Sequence, residues 1–300
     1  MMSNTHVKGM VSAVLAALCW GMALVMSKGV LGSFPPVLLL LIQLISSVVF
    51  IWSMVFLKRI EIPDIRSLIN VSLLGLFEPF FTYILVLIGL TYARASDAAL
   101  LQSLESIFIV MLAALLFKEK ISRLFVFLSL MILTGLYFSI GGSLKGILGN
   151  SMAGNILIIA GMFTAAVYVV LTSRSIAAAD VIVIVAFQQA TALLATMIVF
   201  LGEYIFSDYT FSSPSMSAVI LAIVSGVFQY ALAFTFYLIA LKHISAGLAG
   251  MFLNLVPVFG LAGACLFLSE KMDGVQIAGS VITIGALLMM SILPDKKSES

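Results

Sequence analysis

The second half of this 300-residue chain repeats the first at a fixed offset of 151 residues. Ile88 to Lys120 aligns with Ile239 to Lys271 without a gap, and ten of the 33 positions are identical, the closing Glu119-Lys120 and Glu270-Lys271 among them. The register continues upstream, pairing Gly75 with Gly226 and Glu78 with Gln229. A second stretch aligns at an offset of 145, pairing Gln43 with Gln188 and Ser46 with Thr191. Any fold open to this chain is therefore built from two similar halves.

The solvent of that fold follows from composition. Hydrophobic residues make up 63% of the chain and charged residues 9%, against roughly a quarter charged in a soluble domain. So few charges cannot cover a water-facing surface of this size, and lipid must be the outer solvent. A helix needs about 20 apolar residues to cross the hydrocarbon layer. Ten stretches meet that need, near 9–30, 37–57, 68–91, 96–117, 122–141, 152–173, 181–202, 216–241, 245–268 and 274–292. The expected fold is an all-α polytopic membrane protein of ten transmembrane helices. Residues 1–142 form a first five-helix repeat, 143–151 a Gly- and Ser-rich linker, 152–293 a second repeat and 294–300 a polar tail.

Orientation is read from cations. With the amino terminus inside, alternate connections place Lys8, Lys58, Arg59, Arg66, Lys118, Lys120, Arg123, Arg174, Lys242, Lys296 and Lys297 on the inner side. Only Lys28, Arg94, Lys145 and Lys271 fall outside. This positive-inside bias puts both termini in the cytoplasm and the protein in the cell (inner) membrane. Five spans per repeat, an odd number, give the halves opposite orientations. The loop after the fourth span carries Lys118, Lys120 and Arg123, while its counterpart after the ninth keeps only Lys271. Such duplicated, inverted bundles are the build of secondary transporters, whose substrate sites lie where the repeats meet.

Leu18 stands where lipoprotein cleavage before Cys19 needs a small residue, so the first span is expected to stay uncleaved. Cys19 and Cys265 lie in apolar stretches and read as small core residues, with neither a disulfide framework nor metal spacing. His6 and His243 are isolated. The net charge of +2 gives no sign of a nucleic-acid partner, and the sequence calls for no cofactor. The expected partners are a small-molecule substrate and the lipid bilayer. The faces bearing Gly260 with Gly263, and Gly279 with Gly285, leave room for a homodimer.

Polar residues inside apolar spans point to a site. Glu78 and Glu105 fall well within the third and fourth spans, with no Lys or Arg at comparable depth. An ionised acid at mid-bilayer costs roughly 2.5–3.5 kcal/mol on insertion scales. Each must be carried neutral, packed on the next helix, or in contact with water or a cationic substrate. Pro79 removes a backbone hydrogen bond and kinks the third span, leaving the Gly75 carbonyl beside Glu78 as a polar patch suited to an ammonium group. Gln102 precedes Glu105 by three positions and shares its helix face. In the second half, Gln229 and Tyr230 occupy the register of Glu78, and Asn254 lies three before Pro257, which frees the Leu253 carbonyl. Trp20, Tyr83 and Tyr168 supply aromatic walls for cation–π contact, though aromatics in spans more often pack against neighbours. Gln43, Gln188 and Gln189 read as interhelical structural bonds, and Glu119, Glu270 and Lys271 as helix-terminal groups.

Several segments together resemble a known family. They are Cys19-Trp20-Gly21 with Ser27-Lys28; Gly75 to Lys120, containing Ser103-Leu104-Glu105-Ser106; and Gly226 to Lys271, containing Asn254-Leu255-Val256-Pro257-Val258-Phe259. In order and spacing they resemble the EamA-type carriers of the drug/metabolite transporter superfamily. The resemblance implies two inverted five-helix repeats around a central cavity lined mainly by helices 1, 3, 4, 6, 8 and 9. It also implies amino acids, amines, nucleoside-like compounds or drugs as cargo, with amino-acid export among the known activities. Ser106 stands where the family usually has proline, so the fourth helix is expected to be straighter than the ninth.

The expected function is alternating-access transport of a small polar or amphipathic metabolite, driven by protons through Glu78 or Glu105 or facilitative. The chain lacks G-x-x-x-x-G-K-[ST], H-E-x-x-H and G-x-S-x-G, so neither ATP coupling nor an intramembrane enzyme is expected. A channel-like pore is the alternative reading.

Overall fold

A computed structural model describes residues 4–117, 121–139, 150–172, 179–206, 213–244 and 252–291. The expectations for 143–149 of the linker, the tail from Pro294, and Lys118, Glu119, Lys120, Lys145 and Arg174 fall outside those residues, while Asn150 and Ser151, expected in the linker, begin a helix. Every regular element among the described residues is helical. The first half comprises α1 (Asn4–Val30), α2 (Pro36–Leu57), α3 (Ile65–Leu73), α4 (Thr82–Tyr92), α5 (Ala95–Leu101), α6 (Leu104–Phe117) and α7 (Arg123–Ser139). The second comprises α8 (Asn150–Thr172), α9 (Val181–Phe206), α10 (Met216–Gly226), α11 (Ala233–His243), α12 (Val256–Phe267) and α13 (Gly274–Ser291).

Among the described residues, seven helical runs are long and apolar enough to cross a membrane: His6–Val30, Pro36–Leu57, Leu68–Tyr92, Ala95–Leu116, Met152–Thr172, Val181–Phe206 and Met216–Ala240. Arg123–Ser139, Val256–Phe267 and Gly274–Met289 are apolar but shorter. Large apolar side chains such as Phe56, Leu115, Ile198 and Leu266 stand on the outer surface, as a lipid-facing belt requires. The protein is a multi-pass membrane protein. The seventh span, expected near 181–202, runs on as α9 to Phe206. Cys265, expected in the core, is exposed on the apolar surface, whereas Cys19 is buried.

Local chemistry sets the helix ends. Asp64 caps α3 by accepting from Arg66 N (3.3 Å), and Ser215 caps α10 by accepting from Ala218 N (3.2 Å), each satisfying an amide that a helix start leaves free. Pro36 opens α2, where its missing N–H costs nothing.

The halves are interlaced rather than side by side. α1 packs on α11 and α12 of the other half, and α8 packs reciprocally on α4 and α6. α2 lies against α9, and α7 against α13. Small residues make the closest approaches: Gly75 sits on the backbone of Gln188, and Gly226 on that of Gln43. Gly260, Gly263 and Gly279 are likewise used within the chain, against Ala99, the Met22–Val25 pair and Gly135, while Gly285 faces open space.

The buried glutamines bolt this arrangement together. Gln43 Nε2 donates to Ser27 Oγ and to Ser225 Oγ of the other half, both at 2.8 Å. Gln188 accepts from the Tyr168 hydroxyl (2.9 Å) and donates to the Val71 carbonyl across the halves (3.2 Å). Gln189 donates to the Tyr230 carbonyl (2.7 Å) and accepts from the Ser47 hydroxyl of the first half.

Each half breaks two of its helices at matching register. Between α3 and α4 the chain passes through a tight turn at Leu74–Leu76 and a wide π-turn at Phe77–Phe81, where Glu78 leaves helical geometry altogether (φ −142°, ψ 122°). Its counterpart between α10 and α11 is a π-turn over Val227–Leu232, although no proline occurs there. The fourth span breaks at Gln102–Ser103, where Ser103 N and Glu105 N bond three residues back, to the carbonyls of Leu100 (3.0 Å) and Gln102 (3.1 Å). The ninth breaks at Asn254–Leu255, just before Pro257. The expectation of a straighter fourth helix is thus corrected. Ser103 Oγ takes the Leu100 carbonyl (2.6 Å), so a serine turn interrupts the helix where a proline is missing.

Candidate functional site

Three of the four breaks, those at Glu78, Gln102–Ser103 and Asn254, contribute to the lining of one cavity of about 120 Å³ shared by both halves. Seven of the nine sequence-expected site residues line it: Trp20, Glu78, Tyr83, Gln102, Glu105, Tyr168 and Asn254. Gln229 and Tyr230 do not; they sit behind the wall. Tyr230 is fully buried, its ring edge-on to Tyr83 (centroids 4.8 Å) and its hydroxyl donating weakly to Gln43 Oε1 (3.4 Å). The π-turn that carries both residues shifts their side chains off the face that a straight helix would present. They support Tyr83 instead of lining the cavity, with Gln229 bonded to the Tyr83 hydroxyl.

Glu78 is 8% exposed and bonded to the Tyr83 hydroxyl. The non-helical backbone at Glu78 opens the ladder beside it, and the Thr82 hydroxyl caps the carbonyl of Phe77 (3.0 Å) while bonding Thr164 of the second half (2.8 Å). Glu105 enters the cavity from the first turn of α6, just past the Gln102–Ser103 break. Gln102 and Glu105 thus meet the cavity from either side of a turn, and not from one continuous helical face. The two carboxylates are close enough to repel each other, and none of the described residues that line the cavity is Lys, Arg or His.

Trp20 meets Phe234 (5.2 Å, 79°) and Tyr237 (5.6 Å, 62°) edge-on, the arrangement favoured by aromatic quadrupoles. Its Nε1 is buried and finds no hydrogen-bond partner among the described residues; the same holds for Gln102 Oε1. A buried polar atom left without a partner costs on the order of 1–3 kcal/mol, so one donor and one acceptor in this cavity stand ready for a ligand. Asn254 spans the halves, accepting from Ser106 Oγ (3.3 Å) and donating to the Leu287 carbonyl (3.2 Å).

Thr82, Phe234 and Tyr237 also line the cavity and were not singled out from sequence. Tyr237 follows Tyr230 by seven positions, two helical turns, and that spacing was the available signal. Nothing in the local sequence marked Thr82; its role depends on the turn that precedes it.

Interlaced halves of apolar helices around a polar, acid-bearing cavity define a membrane transport protein. The chain belongs to the EamA-like transporter family, whose model matches residues 7–141 and 152–292, and so to the drug/metabolite transporter superfamily. It is 26% identical to YdfC, an uncharacterized transporter of Bacillus subtilis, over 99% of this chain and 95% of that one. An uncharacterized transporter of Methanothermobacter thermautotrophicus is 25% identical over 94% of this chain and 85% of its own. One of Archaeoglobus fulgidus is 24% identical over 96% and 98%. A protein crystal structure superposes with a TM-score of 0.70 at 18% identity, covering 95% of this chain and 96% of the other, and supports the shared fold. Family and relatives alike are named as transporters, not enzymes.

Proposed function

We propose that this chain is a secondary transporter that moves a small polar or amphipathic metabolite bearing an ammonium group by alternating access. The observation that carries the reading is the pair Glu78 and Glu105 facing one aromatic-walled cavity whose lining, among the described residues, holds no cationic side chain. An ammonium or a proton is what such a pair lacks, and cation–π contact with Trp20, Tyr83 or Tyr168 adds to the attraction. An amino acid or amine fits best, and a nucleoside-like compound fits the aromatic walls alone. Gln102 and Trp20 would bond the polar end of the ligand, and Asn254 would couple the halves to its arrival.

In this reading ten helices form two inverted five-helix repeats in the cell (inner) membrane, with both termini cytoplasmic. The exchange of partners between halves, α1 on α11 and α12, α8 on α4 and α6, is what a pseudo-twofold axis in the membrane plane would produce. Helix breaks at matched register, three of the four bordering one cavity, favour this reading over a channel, because irregular backbone in a membrane belongs where it lines a site or is buried in protein. Substrate and protons would compete for the carboxylates, so export and import are both open to the same machinery.

The test is uptake into proteoliposomes after thermal-shift screening of the purified protein against amino acids, amines and nucleosides. A cation that stabilises the wild type, fails to stabilise Glu78→Gln, and is not accumulated by Glu78→Gln or Glu105→Gln supports the proposal. Full, pH-independent accumulation by both variants rules out these carboxylates as carriers.

A further inference from the structure

A second polar cluster joins the halves well away from the cavity, at the end of the molecule where α4 gives way to α5 and where α12 ends. Arg94 Nε lies 3.7 Å from Glu270 Oε2, and Arg94 Nη2 donates to the Lys271 carbonyl (2.8 Å). The Glu270 carboxylate also accepts from the backbone amides of Ala95 (2.9 Å) and Ser96 (3.0 Å) in the opposite half. Lys28, from the end of α1, donates to the carbonyls of Leu90 and Ala93, both at 2.6 Å. An isolated, solvent-exposed ion pair contributes little. This carboxylate is different: its side chain is 13% exposed, and it gathers a guanidinium and two amides at once, all charge-assisted bonds. Ser269, in the left-handed region (φ 54°), ends the helix and turns Glu270 back toward the first half.

The cluster lies at the far end from the cavity's second-half lining. Leu253, Asn254 and Pro257 line the cavity at the start of α12, and the helix runs ten residues from Pro257 to its end at Phe267, about 15 Å along the axis. Tyr168, Thr172, Tyr237 and Leu238, all near the ends of α8 and α11 remote from the cluster, line it too. The cavity therefore extends toward the opposite end of the bundle.

Sequence makes the two ends unequal. At the repeat offset of 151, Glu270 corresponds to Glu119, but Arg94 corresponds to Ser245. In the repeat register the acid is kept at position 119, while serine takes the arginine's place at position 245. Behind the cluster, Asp97 is buried, with Oδ1 lacking a partner among the described residues, and it lies in electrostatic range of Arg94, Lys28 and Glu270. We propose that Arg94 and Glu270 form a latch that closes this end while the cavity is served from the other, and that Asp97 is the second carboxylate that takes over the cations when Glu270 withdraws. The inference rests on the alternating-access reading. It adds which end is latched, by which residues, and why the two ends are not equivalent: two carboxylates competing for the same cations give the element two states.

The test is the accessibility of a cysteine placed in the cavity wall at Ser103, with Cys19 and Cys265 replaced by alanine, to a membrane-impermeant thiol reagent applied from either face of oriented proteoliposomes. Arg94→Ala and Glu270→Ala are expected to raise labelling from the latch side several-fold and lower it from the other, with Glu270→Gln intermediate. Adding Asp97→Asn to Glu270→Gln is expected to suppress the rise, an effect opposite in direction to simple loosening. Should the alanine variants not fold, Arg94→Lys and Glu270→Gln are read in the same way. Unchanged two-sided labelling in folded variants, or a further rise on adding Asp97→Asn, overturns the latch. Labelling needs no substrate, so its failure leaves the transport reading standing, and a failure of uptake leaves the labelling result intact.

Discussion

Gly75 presses against the backbone of Gln188 so closely that a Cβ at position 75 would overlap the Gln188 carbonyl. Gly226 meets Gln43 in the same way, and position 226 is the repeat equivalent of 75, just as Gln43 is of Gln188. The two contacts are one device used twice, clamping the broken third and eighth spans onto α9 and α2. Neither backbone can yield, because Gln43 and Gln188 are themselves held by side-chain bonds to neighbouring helices.

Gly75→Ala and Gly226→Ala are therefore expected to destabilise the protein by at least the 1–3 kcal/mol typical of overpacking. Gly285→Ala, where nothing lies within 4 Å, is expected to be neutral or to stabilise by up to about 1 kcal/mol through helix propensity. Thermal unfolding in detergent, with all three variants compared side by side, checks this. Equal behaviour of the three would contradict the clamp.

Gln43→Leu leaves the hydroxyls of Ser27 and Ser225 without the amide that joins them. An interhelical bond of this kind is worth about 0.6–2 kcal/mol in a membrane protein, so a stability loss of about that size is expected. Because Gln43 does not line the cavity, substrate affinity should be kept once the variant is folded. A large change in affinity with unchanged stability would move Gln43 from the frame to the site.

Trp20→Phe keeps an aromatic edge near Phe234 and Tyr237 but deletes the unpartnered Nε1 donor. No hydrogen bond is lost in the free protein, so the stability cost comes only from the smaller ring and should stay below the roughly 3–5 kcal/mol of full aromatic truncation. Affinity for a ligand that uses this donor should fall by about 0.5–1.5 kcal/mol, a factor of roughly 2 to 12. Isothermal titration with the ligand found by screening measures it, and an unchanged Kd would show that Nε1 is not used.

Stability of Tyr230→Phe is the sharper test of the supporting role. The hydroxyl's bond to Gln43 is long, 3.4 Å, whereas the ring packs on Tyr83 at 4.8 Å. Tyr230→Phe should be nearly neutral, and Tyr230→Ala should cost about 3–5 kcal/mol, as removal of a buried aromatic does. Denaturation curves for the pair separate ring from hydroxyl. A large loss in the phenylalanine variant would show that the hydroxyl carries the contact.

The duplication, the lipid-facing composition and the depth of Glu78 and Glu105 were legible in the sequence, because register, hydropathy and position along a span are properties of a line of residues. Where side chains point was not. A π-turn at Val227–Leu232 turned Gln229 and Tyr230 behind the wall with no proline to announce it, and a serine turn broke the fourth span where its proline is missing. Glu270 looked like an ordinary helix-terminal acid; only the interlacing of the halves brought it to amides 174 and 175 positions away. Pairwise contacts across a bundle depend on the rotation and depth of each helix against its neighbours, and those are fixed by packing, which no single stretch of chain contains.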